Sequence, residues 1–127
     1  MEQQSHYQYF TKVQATVVLS PALTQCSIIA SGVIMKPDFE WDPEKAQKNI
    51  QKHEVTFDEA SSVFDDPMFI TVLDDEHSDD EERYITIGVS NKTRLLLVAH
   101  TERDDHIRII SARKVTKNEE KFYEETR

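Results

Sequence analysis

The apolar and polar positions of this chain change period several times between Phe39 and Tyr123, and each change marks an element. Phe39-Glu40-Trp41 alternates like a short extended piece. Asp42-Pro43 then sets an N-cap carboxylate before a proline at the first helical position, which predicts a helix running to about His53. At 100° per residue, Ala46, Ile50 and His53 share one face of that helix, and Lys45, Lys48 and Lys52 share an adjoining one. Val55-Thr56-Phe57-Asp58-Glu59 opens a second, shorter helix. Thr56 and Glu59 make a capping box, Val55 is placed to staple onto Ala60, and Phe57, Ala60 and Phe64 point inward. Asp65-Asp66-Pro67 ends it.

Beyond this point the period falls to two. Met68–Leu73 reads as a strand, and the acidic run at 74–82 as a loop. Arg83–Val89 is a strand with Ile85, Ile87 and Val89 on one face, and Ser90-Asn91-Lys92-Thr93 is its turn. Leu95–Thr101 is continuously apolar and predicts the central strand. Glu102–Asp105 turns, and His106–Ala112 returns. Thr116-Lys117-Asn118-Glu119 is a second capping box, opening a helix that bears Phe122 and Tyr123. The order predicts an α+β fold: an antiparallel sheet of about four strands, with two N-terminal helices and one C-terminal helix.

Composition narrows the chemistry. The chain has 127 residues and a formal net charge of -9, unevenly spread. Residues 1–34 hold only Glu2 and Lys12, the run DDEHSDDEE at 74–82 holds seven acids and no base, and residues 83–127 hold ten bases against seven acids. The low overall charge therefore does not exclude a nucleic-acid substrate, because the C-terminal third is basic. With two glycines, Gly32 and Gly88, there is neither a dinucleotide-binding nor a phosphate-loop motif. The single cysteine, Cys26, excludes an intrachain disulfide framework, which fits a reducing cytosol. No apolar run reaches the length of a membrane span. The composition break at Met35 divides the chain into an amino-terminal extension, 1–34, expected to lie outside the fold, and a domain at 35–127. Met35 is itself a candidate start. Pro21 and Gln25 interrupt the extension's apolar stretch, which argues against a secretory leader and for a cytoplasmic protein.

Several side chains could carry chemistry. His53 ends a helix beside Lys52, where the macrodipole favours a cation, and fits either a terminal cap or an acid–base group. His100 and His106 flank the last hairpin turn and could face each other across it, as exposed or half-buried strand histidines. Two imidazoles without a third ligand make a poor metal site, and the acidic run lacks the spacing of a calcium loop. Arg83, Arg108 and Arg113 sit on strands from which they could converge on one surface and hold a phosphate. Ordinary strand-edge pairing with carboxylates such as Glu82 or Glu102 is the alternative, and composition alone favours it. Trp41 and Tyr123 fit either the core or base stacking.

Taken together, the chain resembles the BrnT family of type II toxins. The resemblance is carried by Phe39-Glu40-Trp41-Asp42-Pro43-Glu44-Lys45-Ala46, by Asn49 through Lys52-His53, and by Val55-Thr56-Phe57-Asp58-Glu59-Ala60. It continues through His77-Ser78, Glu81-Glu82-Arg83, Thr86-Ile87-Gly88, His100-Thr101-Glu102-Arg103 and Ile107-Arg108-Ile109-Ile110-Ser111-Ala112-Arg113. It covers roughly residues 37–125 and omits 1–34. Glu54 and Thr93 stand where the family usually has glycine, and Asn118, Glu119 and Glu120 dilute a helix that is often strongly basic.

The resemblance implies a small RelE-like ribonuclease that needs no metal or other cofactor, cleaves RNA by attack of the 2′-hydroxyl on the adjacent phosphate, and inhibits translation. It implies a partner, a BrnA-like ribbon-helix-helix antitoxin, with operator DNA bound only through that antitoxin and no membrane involved. The expected catalytic group is His53, Lys52, Glu82, Arg83, Arg108 and Arg113. The expected RNA contacts are Trp41, Lys45, Lys48 and Tyr123. A reading of a different class is a non-catalytic subunit that engages the antitoxin and modulates operon repression.

Overall fold

A computed structural model describes residues 38–77, 81–103 and 105–126. The extension 1–34 with His6 and Cys26, the candidate start Met35, and residues 78–80 of the acidic run lie outside the described residues. The elements are β1 (Asp38–Glu40), α1 (Pro43–His53), α2 (Phe57–Ser61) continued by a 3-10 turn (Ser62–Asp65), β2 (Ile70–Leu73), a 3-10 turn (Asp75–His77), β3 (Arg83–Val89), β4 (Leu95–Arg103), β5 (His106–Lys114) and α3 (Lys117–Thr126). They form an α+β fold on one sheet of order β1-β5-β4-β3-β2, with β4 at its centre. The sheet has five strands rather than about four, because Phe39-Glu40 joins it. β1 pairs parallel to β5, so the sheet is mixed rather than wholly antiparallel. The last two strands also run further than the pattern predicts, β4 to Arg103 rather than Thr101 and β5 to Lys114 rather than Ala112.

The helix signals act as the sequence suggests, with informative exceptions. Asp42 caps α1 by accepting from the Glu44 N–H at 2.8 Å. Inside α1 the buried residue is Asn49, whereas Ile50 is left 38 % exposed. Thr56 accepts from the Glu59 N–H at 3.0 Å, but the Glu59 carboxylate does not complete the box. It turns instead to the β3–β4 hairpin, accepting from Ser90 Oγ at 2.7 Å and from both the Nε and an Nη of Arg94. Arg94 thereby holds Glu59 below the usual carboxylate range, against the opposing effect of burial. The box at α3 is complete: the Thr116 N–H donates to Glu119 Oε1 at 2.9 Å, and the Glu119 N–H donates to Thr116 Oγ1 at 3.3 Å.

Two apolar clusters lie on the two faces of the sheet. On one face α1 and α2 bring Ala46, Val55, Phe57, Ala60 and Val63 onto Leu96, Val98, Ile107, Ile109 and Ala112. On the other, Phe122 and Tyr123 of α3 cover Ile70, Val72, Ile85, Ile87 and Leu97. Gly88 lets the 3-10 turn approach β3, since a Cβ there would meet Val63 Cγ1 at 2.9 Å and its backbone oxygen at 3.1 Å. The Asn49 amide joins the first layer to the sheet. Its Nδ2 donates to the Val55 and Ala112 carbonyls, each at 2.9 Å, and its Oδ1 accepts from the Ala112 N–H at 3.1 Å.

His100 and His106 do not face each other. His106 pairs with Arg103 and is exposed, while His100 is opposite Ile109 and fully buried, deeper than a half-buried strand histidine. Its Nε2 is 2.7 Å from Thr86 Oγ1, which is itself 2.7 Å from Thr71 Oγ1. Tyr84 stacks on its ring and Phe64 meets it edge-on. Burial pushes its pKa down to about 3.

Two expectations about stability follow. Glu54, the C-cap of α1, and Thr93, in the β3–β4 turn, both adopt left-handed backbone, with φ of 58° and 57°. A side chain costs about 1 kcal/mol or more in that region, so Glu54→Gly and Thr93→Gly should each raise the thermal midpoint by roughly 4–8 °C. An unchanged or lower midpoint in differential scanning calorimetry would contradict the strain. The second expectation comes from His100. Its folded pKa lies below its unfolded value near 6.5, so between those two values the folded state binds fewer protons than the unfolded state. Its contribution is present above that value and is lost on the way down to pH 3. Denaturant titrations between pH 6 and 5 should show stability falling at up to about 1.4 kcal/mol per pH unit, and His100→Gln should flatten that slope. An equal slope in the variant would show that another group controls it.

Candidate functional site

The register of the sheet lines up polar side chains where α3 stops covering it. Arg83 of β3 is opposite Thr101 of β4, Thr101 is opposite Arg108 of β5, and Arg108 is paired with Glu40 of β1. Residues directly opposite on neighbouring strands share a face, so Glu40, Arg108, Thr101 and Arg83 form one row across four strands. The row lies on the same face as Ile85, Ile87 and Leu97. Neighbouring strands are about 4.8 Å apart, which places the two arginine Cα atoms about 10 Å apart with Thr101 between them. That spacing lets two guanidinium groups meet over one phosphate-sized anion. The hydroxyl of Thr101 is buried and has no hydrogen-bond partner among the described protein atoms. Arg108 Nη1 donates to Glu40 Oε2 at 3.1 Å, and both side chains remain more than a third exposed.

A second row lies beside the first on the same face. Arg103 is opposite His106, and His106 is paired with Asp38. His106 Nε2 is 3.8 Å from Asp38 Oδ2. Arg103 is gripped in two hydrogen bonds by Glu81, at 2.8 and 3.1 Å, and this pairing holds Glu81 below the usual carboxylate range.

Arg113 is also on this face, for a reason that strand alternation does not reveal. Five positions separate it from Arg108, which in an unbroken strand puts the two on opposite faces. A register shift beside Ala99 and His100 adds one residue to β5, so Arg108 is opposite Thr101 and Arg113 opposite Leu97, four apart on β4. Arg113 is thus about 13 Å along the strand from the row. Its guanidinium is held by the buried Glu119 carboxylate in two bonds of 2.8 Å, which fastens the start of α3 to β5. A bidentate pair of this kind occupies the planar fork that a phosphate would need.

The remaining expected residues lie elsewhere. His53 and Lys52 end α1, whose Ala46 packs over the opposite face and whose Asn49 meets the edge of β5. His53 is half-buried. Its pKa is lowered by burial, then by the neighbouring charges of Lys52 and Arg113. Lys45, Lys48 and Lys52 are exposed on α1. Glu82 is exposed ahead of β3 and accepts from the Tyr84 hydroxyl at 3.4 Å. Trp41 packs edge-on against Phe57 in the helix-covered cluster, with ring centroids 6.0 Å apart. Tyr123 is a core residue rather than a stacking platform: it is buried, and its hydroxyl donates to Asp66 Oδ2 at 2.6 Å. Sequence reasoning missed Glu40, Thr101 and the position of His106. Only strand register brings these to the arginines, although Glu40 does lie within the Phe39-Glu40-Trp41-Asp42-Pro43 segment.

Among the described residues no three His, Cys, Asp or Glu side chains cluster as a metal site, and no helix is long and apolar enough to cross a membrane. No curated protein sequence matches the chain. A crystal structure of the Brucella abortus ribonuclease toxin BrnT is similar at 20% sequence identity and a TM-score of 0.48, over 65% of this chain and 100% of that one. Residues 41–119 match the model of a family described as the ribonuclease toxin BrnT of type II toxin-antitoxin systems. That match spans more than half of the sequence and includes α1, the capping boxes, the polar row from Arg83 to Arg108, and Arg113, so the chain belongs to the BrnT family of type II ribonuclease toxins.

Proposed function

We propose that this toxin is an endoribonuclease that cuts RNA without a metal ion, at the uncovered end of its sheet, and so stops translation. The observation that carries the reading is the row Arg108–Thr101–Arg83, in which the strand register sets two arginines on either side of Thr101 on one face of the sheet. Cleavage by the neighbouring 2′-hydroxyl passes through a phosphorane whose added negative charge must be balanced. Arg83 and Arg108 supply that balance as fixed, permanently charged donors. Arg113 contributes at one remove, because its fork to Glu119 keeps α3 over the apolar half of the same face.

Membership of a type II family implies an antitoxin partner. In this reading it is a ribbon-helix-helix protein of the BrnA kind, which silences the toxin by covering the arginine row and carries the complex to operator DNA. Its surface toward the row is expected to be acidic, since complementary charge both steers association and excludes RNA.

Induced expression should arrest growth while cellular RNA is cut. The purified chain should cut RNA in excess chelator and leave a 2′,3′-cyclic phosphate at the new end. Arg83→Ala or Arg108→Ala should lower cleavage by at least 100-fold, the range seen when a charge-stabilising donor is removed. Arg→Lys should restore little of it, for want of the fork. Cleavage that disappears in chelator and returns with a divalent ion, or alanine variants that remain fully toxic, would contradict the proposal.

A further inference from the structure

We infer that Glu40 and His106 are the general base and general acid of this site, an assignment that rests on reading the arginine row as the place where RNA is cut. Both belong to the same two-row patch. Glu40 is in the row with Arg108, and His106 is one pleat along β5, on the same face. With about 4.8 Å between strands and roughly 6.6 Å between successive same-face residues, their Cα atoms are about 8 Å apart on two strands. In-line displacement needs this arrangement. The attacking 2′-oxygen and the leaving 5′-oxygen lie on opposite sides of phosphorus, so the base and the acid must reach it from different directions.

Several of the other candidates are engaged or misplaced. Glu59 and Glu119 are buried in arginine forks, and Glu81 is held by Arg103. Glu102 lies on the other face, 3.8 Å from the ring of His100 and almost fully buried. Among the imidazoles, His100 is wholly inside and His53 ends α1 beside the distant Arg113. Glu40 and His106 are accessible, at 39 % and 46 % side-chain exposure.

The geometry also gives an order of events. In the free protein the Glu40 carboxylate is occupied by Arg108 at 3.1 Å. A phosphodiester arriving between Arg108 and Arg83 competes for that guanidinium and frees the carboxylate at the moment the substrate is in place. Glu40 then takes the proton from the 2′-hydroxyl and the 2′-oxygen bonds to phosphorus. The bond from phosphorus to the 5′-oxygen breaks, and that oxygen takes a proton from the His106 imidazolium. The products are a 2′,3′-cyclic phosphate, a free 5′-hydroxyl, protonated Glu40 and neutral His106. Exchange of one proton each with water resets the pair.

The test uses the full chain and two oligoribonucleotides cut at the linkage the wild-type protein chooses. One is ordinary, and in the other the leaving 5′-oxygen is replaced by sulfur, which departs without protonation. His106→Ala should cut the ordinary RNA at least 100-fold more slowly than wild type and the sulfur-linked RNA within a few-fold of it. Glu40→Ala should be slow on both, with added formate restoring cleavage in proportion to its concentration. Fluorescence anisotropy with a 2′-deoxy analogue should give His106→Ala the affinity of wild type within a few-fold, and Glu40→Ala an affinity no weaker than wild type, because the carboxylate that competes for Arg108 is gone. Cleavage of ordinary RNA at the wild-type rate by either variant, a slow His106→Ala that the sulfur link does not relieve, or no rescue of Glu40→Ala by formate overturns the pair. Should Glu40→Ala fail to unfold cooperatively, Glu40→Gln, which still offers Arg108 an acceptor, decides the matter by its rate on the ordinary RNA. A wild-type chain that cuts neither substrate refutes the reading of the row itself, an outcome separate from failure of the pair.

Discussion

A single buried amide determines how the two halves of this protein meet. Asn49 uses both ends of its side chain on Ala112, as a neighbouring strand would, and spends a further donor on Val55. β1 pairs with β5 only as far as Arg108, so the upper part of that strand has an open edge in need of partners. Asn49 supplies them at Ala112. In doing so it fixes α1 against β5, with the turn after α1 directed into the core at Val55. Loss of the side chain would leave three buried backbone groups unsatisfied, each at about 1–3 kcal/mol. Only Trp41 and Asp42 separate α1 from β1, so the position of the helix sets the register in which Glu40 meets Arg108. The place of Glu40 in the polar row is therefore tied to an interaction further along β5.

A similar division of labour runs through the arginines. Of those on or beside the sheet, Arg94, Arg103 and Arg113 are each clasped by one glutamate in two bonds. Arg94 ties α2 to the β3–β4 turn, and Arg113 ties α3 to β5. Arg108 has a single bond, to a carboxylate that is itself exposed, and so is the one of these four most easily drawn to a new anion. Type and sign of charge do not distinguish these roles; the geometry of the partner does.

This explains what the sequence revealed and what it withheld. Asp42-Pro43, Thr56 and the Thr116–Glu119 box located the helices because capping is local chemistry within three or four residues. Alternation located β3 and the apolar run located the central β4. β1 was harder, since three residues carry almost no periodic signal and the strand they pair with, β5, lies far along the chain. The face of Arg113 depended on a bulge, and bulges leave no mark on composition. Glu59 formed half of its expected capping box because Arg94, distant in sequence, offers the carboxylate a stronger partner than a backbone N–H. At the site, arginines were legible by type, whereas Glu40, Thr101 and His106 became visible only through register. The same register moves attention from the lysine stripe of α1 to the far face of the sheet.

RNA binding on the α3 face of the sheet, rather than along α1, is the central consequence of this arrangement. An amide-resolved NMR titration of the isotopically labelled chain with an uncleavable 2′-O-methyl oligoribonucleotide measures it directly. The largest shifts are expected on Glu40, Tyr84, Thr101, Ile107 and Arg108, at the end of the sheet beyond α3. Shifts centred instead on Lys45, Lys48, Lys52 and His53, with the arginine row undisturbed, would contradict it.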